Sequence, residues 1–220
     1  MSILKLEDIA YSYDKGRNMV LKDISFDFEK GKIYTIVGKS GAGKTTLLSL
    51  LAGLTSPSQG KIIYQDSDLE SINKYEYRSK YVGVIFQGFN LLPQLTAAEN
   101  VELSMDISRK KYNNKKEYVF SLLEKVGIDS SKANRKVLKL SGGEQQRIAI
   151  ARALSYDPDI ILADEPTGNL DGATQNDVMN IFKSLAYEEN KCVIIVTHSP
   201  KVATDGDIKY ELHPIKNNHK

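Results

Sequence analysis

The stretch Lys32-Ile33-Tyr34-Thr35-Ile36-Val37-Gly38-Lys39-Ser40-Gly41-Ala42-Gly43-Lys44-Thr45-Thr46-Leu47-Leu48-Ser49-Leu50-Leu51 decides the fold. A β-branched, apolar run gives way to glycines and then to a leucine-rich segment, which reads as strand, glycine-rich turn and helix. Gly38 to Thr45 match G-x-x-x-x-G-K-[ST], placed where a phosphate-binding loop must lie, after a strand and before a helix. Glycines let the backbone wrap closely and present N–H groups to an anion at the positive end of the following helix. Lys44 is expected to reach the β- and γ-phosphates of a nucleotide, and Thr45 to ligate Mg²⁺. The expected phosphate contacts are therefore Gly38, Lys39, Ser40, Gly41, Ala42, Gly43, Lys44, Thr45 and Thr46.

Outward from this loop, Ile160–Ala163 and Val193–Thr197 are short, continuous apolar runs of the kind that make strands covered on both faces. With Lys32–Val37 they predict the parallel centre of an α/β sheet. Ile3–Phe28 and Lys61–Tyr64 read as shorter, more alternating strands suited to an antiparallel layer near the N-terminus. From about Phe89 to Ser155 the pattern turns helical; in Lys115–Val126 the residues Tyr118, Val119, Leu122, Leu123 and Val126 recur at helical spacing. The expectation is one domain, with 1–88 and 156–220 as a nucleotide-binding core and 89–155 as an inserted helical lobe.

The 220 residues are enough for a core that folds without a partner or metal, and 30 basic against 28 acidic side chains leave a formal charge of +2. Nothing in that balance points to nucleic acid. The basic run Arg109–Lys116 reads as a solvated helix surface. No apolar stretch approaches the roughly 20 residues needed to cross a bilayer, and the N-terminus has no secretory pattern, so the chain is expected in the cytoplasm. The single cysteine, Cys192, sits beside Val193-Ile194-Ile195-Val196 and reads as a buried structural thiol.

Asp164 and Glu165 stand side by side at the carboxyl end of the run Ile160–Ala163, where ligand sites form on parallel sheets. Behind a phosphate loop, Asp164 is placed to hold Mg²⁺ and Glu165 to act as general base or to orient water.

Leu140-Ser141-Gly142-Gly143-Glu144-Gln145-Gln146-Arg147, running into Ile148–Leu154, resembles the signature motif and helix of ABC (ATP-binding cassette) ATPases. It is a second anion site, with a Ser hydroxyl and glycine N–H groups at a helix N-terminus. The resemblance covers nearly the whole chain and implies the ABC ATPase fold: a P-loop domain with a mainly parallel core sheet, an N-terminal antiparallel β layer and an inserted helical lobe. It also implies a head-to-tail dimer, as a homodimer or paired cassette, with each ATP between one subunit's phosphate loop and the other's Ser141, Gly142, Gly143 and Glu144. Gln87 falls at the Q-loop position, implying contact with Mg²⁺ or the attacking water. Asn169-Leu170-Asp171 matches the D-loop that crosses the dimer, and His198 the switch histidine that meets the γ-phosphate. Tyr13 matches the aromatic that stacks on adenine; Tyr11, two residues away on the same strand face, is its rival, and spacing to the phosphate loop favours Tyr13.

This sequence departs from the family pattern at Glu144, where glutamine is common, and at Asp207–Ile215, which lacks the usual glycine turn of the closing strands. His213 and His219 read as tail residues. The phrases Phe86–Pro93 and Ala163–Asp171 resemble the lipoprotein-release, macrolide-export and antimicrobial-peptide-resistance group. That implies an ATPase at the cytoplasmic face of the membrane, energising a membrane subunit that exports or extracts peptides, lipids, lipoproteins or antimicrobial compounds. The alternative is a cassette for transmembrane signalling or cell-division control. Soluble ABC ATPases of DNA repair or translation usually carry coiled-coil insertions or two cassettes, and this chain shows neither. The family's docking of a membrane-subunit helix places that partner at Gln87–Leu95, where Phe89, Leu91, Leu92 and Leu95 supply apolar surface.

Overall fold

The computed structural model describes residues 2–14, 18–168 and 170–215, so Asn169 and His219 lie outside the described residues. Its centre is a five-stranded sheet in the order β6-β7-β8-β3-β9, made of β3 (Lys32–Gly38), β6 (Val82–Ile85), β7 (Ile160–Asp164), β8 (Cys192–Thr197) and β9 (Ile208–Leu212). Every pairing in it is parallel. The three runs expected to make the parallel centre are the adjacent strands β7, β8 and β3. Each residue of β7 and β8 is buried, which is why these strands read as unbroken apolar runs.

Alternation along those strands divides their side chains between two cores. Tyr34 and Ile36 of β3, Ile160 and Leu162 of β7, and Ile194 and Val196 of β8 face one core. That core also holds α1 (Lys44–Leu51) and the N-terminal strands. Ile33, Ile161, Ala163, Val193 and Ile195 face the other, which runs without a break into the helical segment through Val101, Leu123 and Ile148. Cys192 is fully buried, and burial raises its thiol pKa far above the ordinary cysteine value.

The second sheet is antiparallel, in the order β2-β1-β4-β5, from β1 (Ser2–Ser12), β2 (Met19–Glu29), β4 (Gln59–Tyr64) and β5 (Ser67–Asp68). Contrary to the expectation of shorter strands, β1 and β2 have 11 residues each, longer than any strand of the central sheet. Bulges are the physical reason. The β1–β2 register shifts between Leu6 and Ile9, and Asp8 and Asp23 take positive φ, so the alternation breaks while the strands continue. Tyr210 of β9 stacks on Phe26 of β2 with ring centroids 4.0 Å apart and gives its hydroxyl to the Asp27 carbonyl at 2.9 Å. The closing segment thus ends in one parallel edge strand locked to the antiparallel layer, with no glycine turn required.

After β5 the chain forms α2 (Lys74–Glu76), leading through the π-helical turn Tyr77–Tyr81 to β6. The helical segment comes next: α3 (Ala97–Ser108), α4 (Lys115–Lys125), α5 (Ser130–Ala133) and α6 (Gly142–Leu154). Then α7 (Gly172–Tyr187) connects β7 to β8, and α8 (Pro200–Thr204) connects β8 to β9. Helix does not begin at Phe89: residues 89–95 are irregular, and Thr96 starts α3 with a capping box to Glu99. The basic run Arg109–Lys116 is likewise mainly the α3–α4 connection rather than a helix surface. Lys110 there pairs with Asp157 at 3.6 Å, and Lys115 with Asp106 at 2.6 Å.

Arg152 of α6 ties the irregular stretch down. Its guanidinium donates to the Phe89 carbonyl at 3.0 Å and to the Asn90 carbonyl, and Asn90 holds a positive φ of 49°. Arg152→Met removes both donors and strands two carbonyls. It is expected to cost about 2–3 kcal/mol of stability, read as a lower urea midpoint; an unchanged midpoint would show that the loop holds itself.

Candidate active site

Four neighbouring strands deliver the site from their carboxyl ends: Gly38 ends β3, Gln87 follows β6, Asp164 ends β7 and His198 follows β8. A cleft of about 400 Å³ brings Lys44, Thr45, Gln87, Asp164, Glu165 and His198 together, with Ser40, Gly41, Gly43 and Thr46 of the loop. It also includes Val20 of β2, which nothing in the sequence singled out.

Close approach explains the loop's last glycine. Gly43 has φ +86°, and a Cβ there would lie 2.8 Å from Leu21 Cδ2 and 3.0 Å from the Val20 carbonyl oxygen. As N-cap of α1 it offers no side chain to the helix, so the first N–H groups of α1 are left for an anion. The Lys44 ammonium folds back over the loop, donating to the carbonyls of Gly38 at 2.8 Å and Lys39 at 3.3 Å.

Thr45 Oγ1 donates to Asp164 Oδ2 at 3.2 Å. A hydroxyl and a carboxylate side by side are hard oxygen donors suited to a small divalent cation. Among the described residues no group of three or more His, Cys, Asp or Glu could hold a metal alone. Gln87, in the same cleft, offers a further oxygen for such an ion. Burial pushes Asp164 above the ordinary aspartate pKa, opposed by the Thr45 hydrogen bond and reinforced by the Glu165 charge. A cation beside it would reverse that shift.

Glu165 is buried, with φ 45°, and its N–H donates to the Val196 carbonyl at 2.9 Å. Its Oε1 lies 2.7 Å from His198 Nδ1, and its Oε2 accepts from Thr197 Oγ1 at 3.1 Å. Thr197 appears in the sequence only as the end of an apolar strand. The hydroxyl of Tyr13 is 2.8 Å from Thr46 Oγ1, and its ring is 70 % exposed. Tyr11 instead turns to Thr55 Oγ1 at 3.4 Å. The two rings stay side by side, with centroids 5.1 Å apart, although Tyr13 lies one residue past the end of β1.

Ser141, Gly142, Gly143 and Glu144 are elsewhere, and none lines this cleft. Ser141 caps α6 in a capping box: its backbone N–H donates to Glu144 Oε2 at 2.8 Å, and the Glu144 N–H donates to Ser141 Oγ at 3.3 Å. Lys132 pairs with Glu144 at 3.0 Å. The Ser141 N–H, with Lys132 behind it, holds the Glu144 carboxyl below its ordinary pKa. Asp171 caps α7, accepting from the N–H groups of Ala173 and Thr174 at 3.1 Å and 3.0 Å.

Residues 21–168 match the family model described as ABC transporter. The chain belongs to the ABC transporter family. An uncharacterised ABC transporter ATP-binding protein of Bacillus subtilis is 46 % identical over 212 residues, covering 96 % of this chain and 94 % of that protein. The lipoprotein-releasing system ATP-binding protein LolD of Treponema denticola is 41 % identical over 207 residues, covering 93 % and 91 %. A dimeric structure of the cassette MJ0796 superposes with a TM-score of 0.87 at 35 % identity, over 96 % of this chain and 94 % of that one. A second MJ0796 dimer, in a post-hydrolysis state bound to ADP and Pi, gives 0.86 at 35 % identity, over 95 % and 94 %. The protein is thus an ABC ATP-binding subunit with the ABC ATPase fold, and an ATPase that works with a divalent metal. Among its described residues no helix is long and apolar enough to cross a membrane.

In this ABC cassette the signature loop touches the start of α7: a Cβ on Gly143 would lie 2.5 Å from Thr174 Cγ2. Thr174 cannot turn away without losing its hydroxyl bond to Asp171 at 2.9 Å. Gly143→Ala is expected to destabilise by about 1–3 kcal/mol. Thr174→Ser in the same chain should restore most of it, because it removes only the methyl. Denaturation midpoints of the single and double variants check this, and a double variant no better than Gly143→Ala would contradict the contact.

Proposed function

We propose that this ABC ATPase is one half of a head-to-tail nucleotide sandwich on the cytoplasmic face of the membrane. It energises a membrane subunit that exports or extracts peptides, lipids, lipoproteins or antimicrobial compounds. The observation that carries the sandwich is the separation of two anion cradles within one chain. The α1 loop lines the cleft, while Ser141 to Gly143 sit exposed or half-exposed outside it, positioned to close a partner's cleft. The dimeric MJ0796 structures support pairing of two cassettes, and the likeness to the lipoprotein-releasing LolD supports the lipoprotein end of the substrate range.

Within the cleft, Tyr13 stacks on adenine, while the loop N–H groups and Lys44 hold the phosphates. Thr45, Asp164 and Gln87 would hold Mg²⁺, which would neutralise phosphate charge during hydrolysis. Glu165 orients the attacking water and takes its proton, and His198 meets the γ-phosphate. ATP and water become ADP and phosphate. Asp171 lies at the edge that meets the partner subunit.

Glu165→Gln keeps the shape and removes the basic carboxylate. Turnover should fall about 100-fold or more while ATP still binds, and size-exclusion chromatography in Mg-ATP should show a stable dimer. A fully active Glu165→Gln protein would remove Glu165 from its role; a monomer with bound ATP would remove the sandwich.

The membrane subunit is placed on α3 and the loop before it. Of the four apolar residues expected to face it, only Leu92 is exposed; Leu91 packs against the helical core and Phe89 and Leu95 are half-buried. Leu92 lies against Asn100 of α3, its N–H donating to Asn100 Oδ1 at 2.8 Å. Exposed Leu103 and Ile107 lie further along that helix, one turn apart. Tyr75 joins the stripe, its hydroxyl donating to the Ile107 carbonyl at 3.0 Å. Beside it opens a hollow of about 600 Å³ that includes Tyr75, Arg109 and Tyr156, suited to an amphipathic helix. Arg152 connects the preceding loop to α6, so a partner seated here bears on Gln87 and on the signature helix together. Replacing Leu92 and Ile107 with Glu should leave the basal ATPase of the isolated subunit within about twofold while abolishing copurification with the membrane subunit. Undiminished copurification would move the contact elsewhere.

A further inference from the structure

Thr197 is fully buried at the end of β8, between β3 and β7. A threonine hydroxyl has one proton to give. Here the oxygen accepts the Ser199 N–H at 3.0 Å, and its proton is directed to Glu165 Oε2 at 3.1 Å. The other carboxylate oxygen, Oε1, is engaged by His198 at 2.7 Å. These two tethers differ in kind. Thr197 has no exposed surface, and its backbone is fixed in the middle of the sheet, whereas the His198 side chain is 69 % exposed and lies just past the strand. One bond is built into the core and the other can be released.

We propose that Thr197 is a positioning residue for ATP hydrolysis: its hydroxyl keeps Oε2 of Glu165 fixed, so that Oε1 faces the attacking water when His198 turns to the γ-phosphate. The inference rests on Glu165 being the base or water-orienting group. The backbone of Glu165 is anchored through the Val196 carbonyl, but its side chain has torsions that this anchor does not restrict. Without Thr197, release by His198 would remove the second of the two side-chain partners that the Glu165 carboxylate has among the described residues. Positional spread of a reacting group lowers the rate of the chemical step and leaves ground-state binding alone.

Thr197→Val keeps the branched shape and deletes the hydroxyl. The expected result is a fall in kcat of about 10-fold or more, with the Michaelis constant for ATP within about twofold. ATP-bound dimers should accumulate, as slow hydrolysis requires. Thr197→Ser, which restores the hydroxyl, should recover most of the rate. Wild-type kcat in Thr197→Val overturns the proposal. So does a rise in the Michaelis constant that matches the fall in kcat, since that marks a loop displaced through the lost Ser199 N–H bond rather than a carboxylate left loose. Should the valine variant not fold, Thr197→Ala also deletes the hydroxyl without adding volume, and full activity there is equally fatal. Glu165→Gln assayed alongside separates the two readings: an active Glu165→Gln removes the base itself, whereas an inactive one beside an unaffected Thr197→Val removes only the positioning role.

Discussion

A parallel sheet is stable in water only when both faces are covered, and here that requirement fixes both the layering of the molecule and the place of its chemistry. Residues facing one way from β3, β7 and β8 pack with α1 and the antiparallel layer, and those facing the other way pack with the helical segment. With both faces filled, the free edge for chemistry is the carboxyl end of the strands. The loop after Gly38, Asp164, Glu165 and His198 reach one cleft because their strands are adjacent, parallel and in register: Ala163 lies opposite Ile195, and Ile36 opposite Val196. The same packing lets a backbone with positive φ persist at Glu165, where surrounding structure holds a residue that would otherwise relax.

Legible in the sequence was whatever a short stretch of chain determines by itself. The phosphate loop, the Asp164–Glu165 pair and the Ser141–Gly143 helix start each depend on neighbours within a few residues, so their chemistry is written locally. The central strands were legible for a related reason, since burial on both faces leaves no polar interruption. Strand length in the antiparallel layer was hidden because bulges at Asp8 and Asp23 destroy alternation without ending the strand. Tyr13 and Tyr11 differ in their hydroxyl partners, Thr46 and Thr55, both far away in sequence. The positions of Val20, Thr197 and Arg152 are set by contacts 23, 32 and 63 residues away in sequence, Val20 against Gly43, Thr197 against Glu165 and Arg152 against Phe89. No local pattern records such pairings.

Glu144 shows how a departure from the common signature is absorbed. A carboxylate near the place where a partner's phosphates would sit should repel them, yet here it accepts the Ser141 N–H and pairs with Lys132 at 3.0 Å. Its charge is balanced within its own chain before any phosphate arrives. Glutamine at this position could accept the same N–H bond with no charge to balance; the carboxylate here has Lys132 as its counter-charge.

The two cradles of the chain then differ in a way that fits their separate duties. The N-terminus of α1 has no side-chain cap, so its N–H groups remain available and the loop is an anion site on its own. The N-terminus of α6 is already capped by Ser141 and Glu144; left for a phosphate are the N–H groups of the following glycines and the one hydroxyl proton of Ser141, whose oxygen is occupied by the Glu144 N–H. Such a half-satisfied cradle gains little from a free anion. In the proposed sandwich it would gain more from a phosphate already held by a second subunit, where the entropic cost of capture has been met and several donors engage at once. Strong capture by one loop and conditional capture by the other is the asymmetry an ATP-dependent dimer needs if it is to open again once the γ-phosphate is cut.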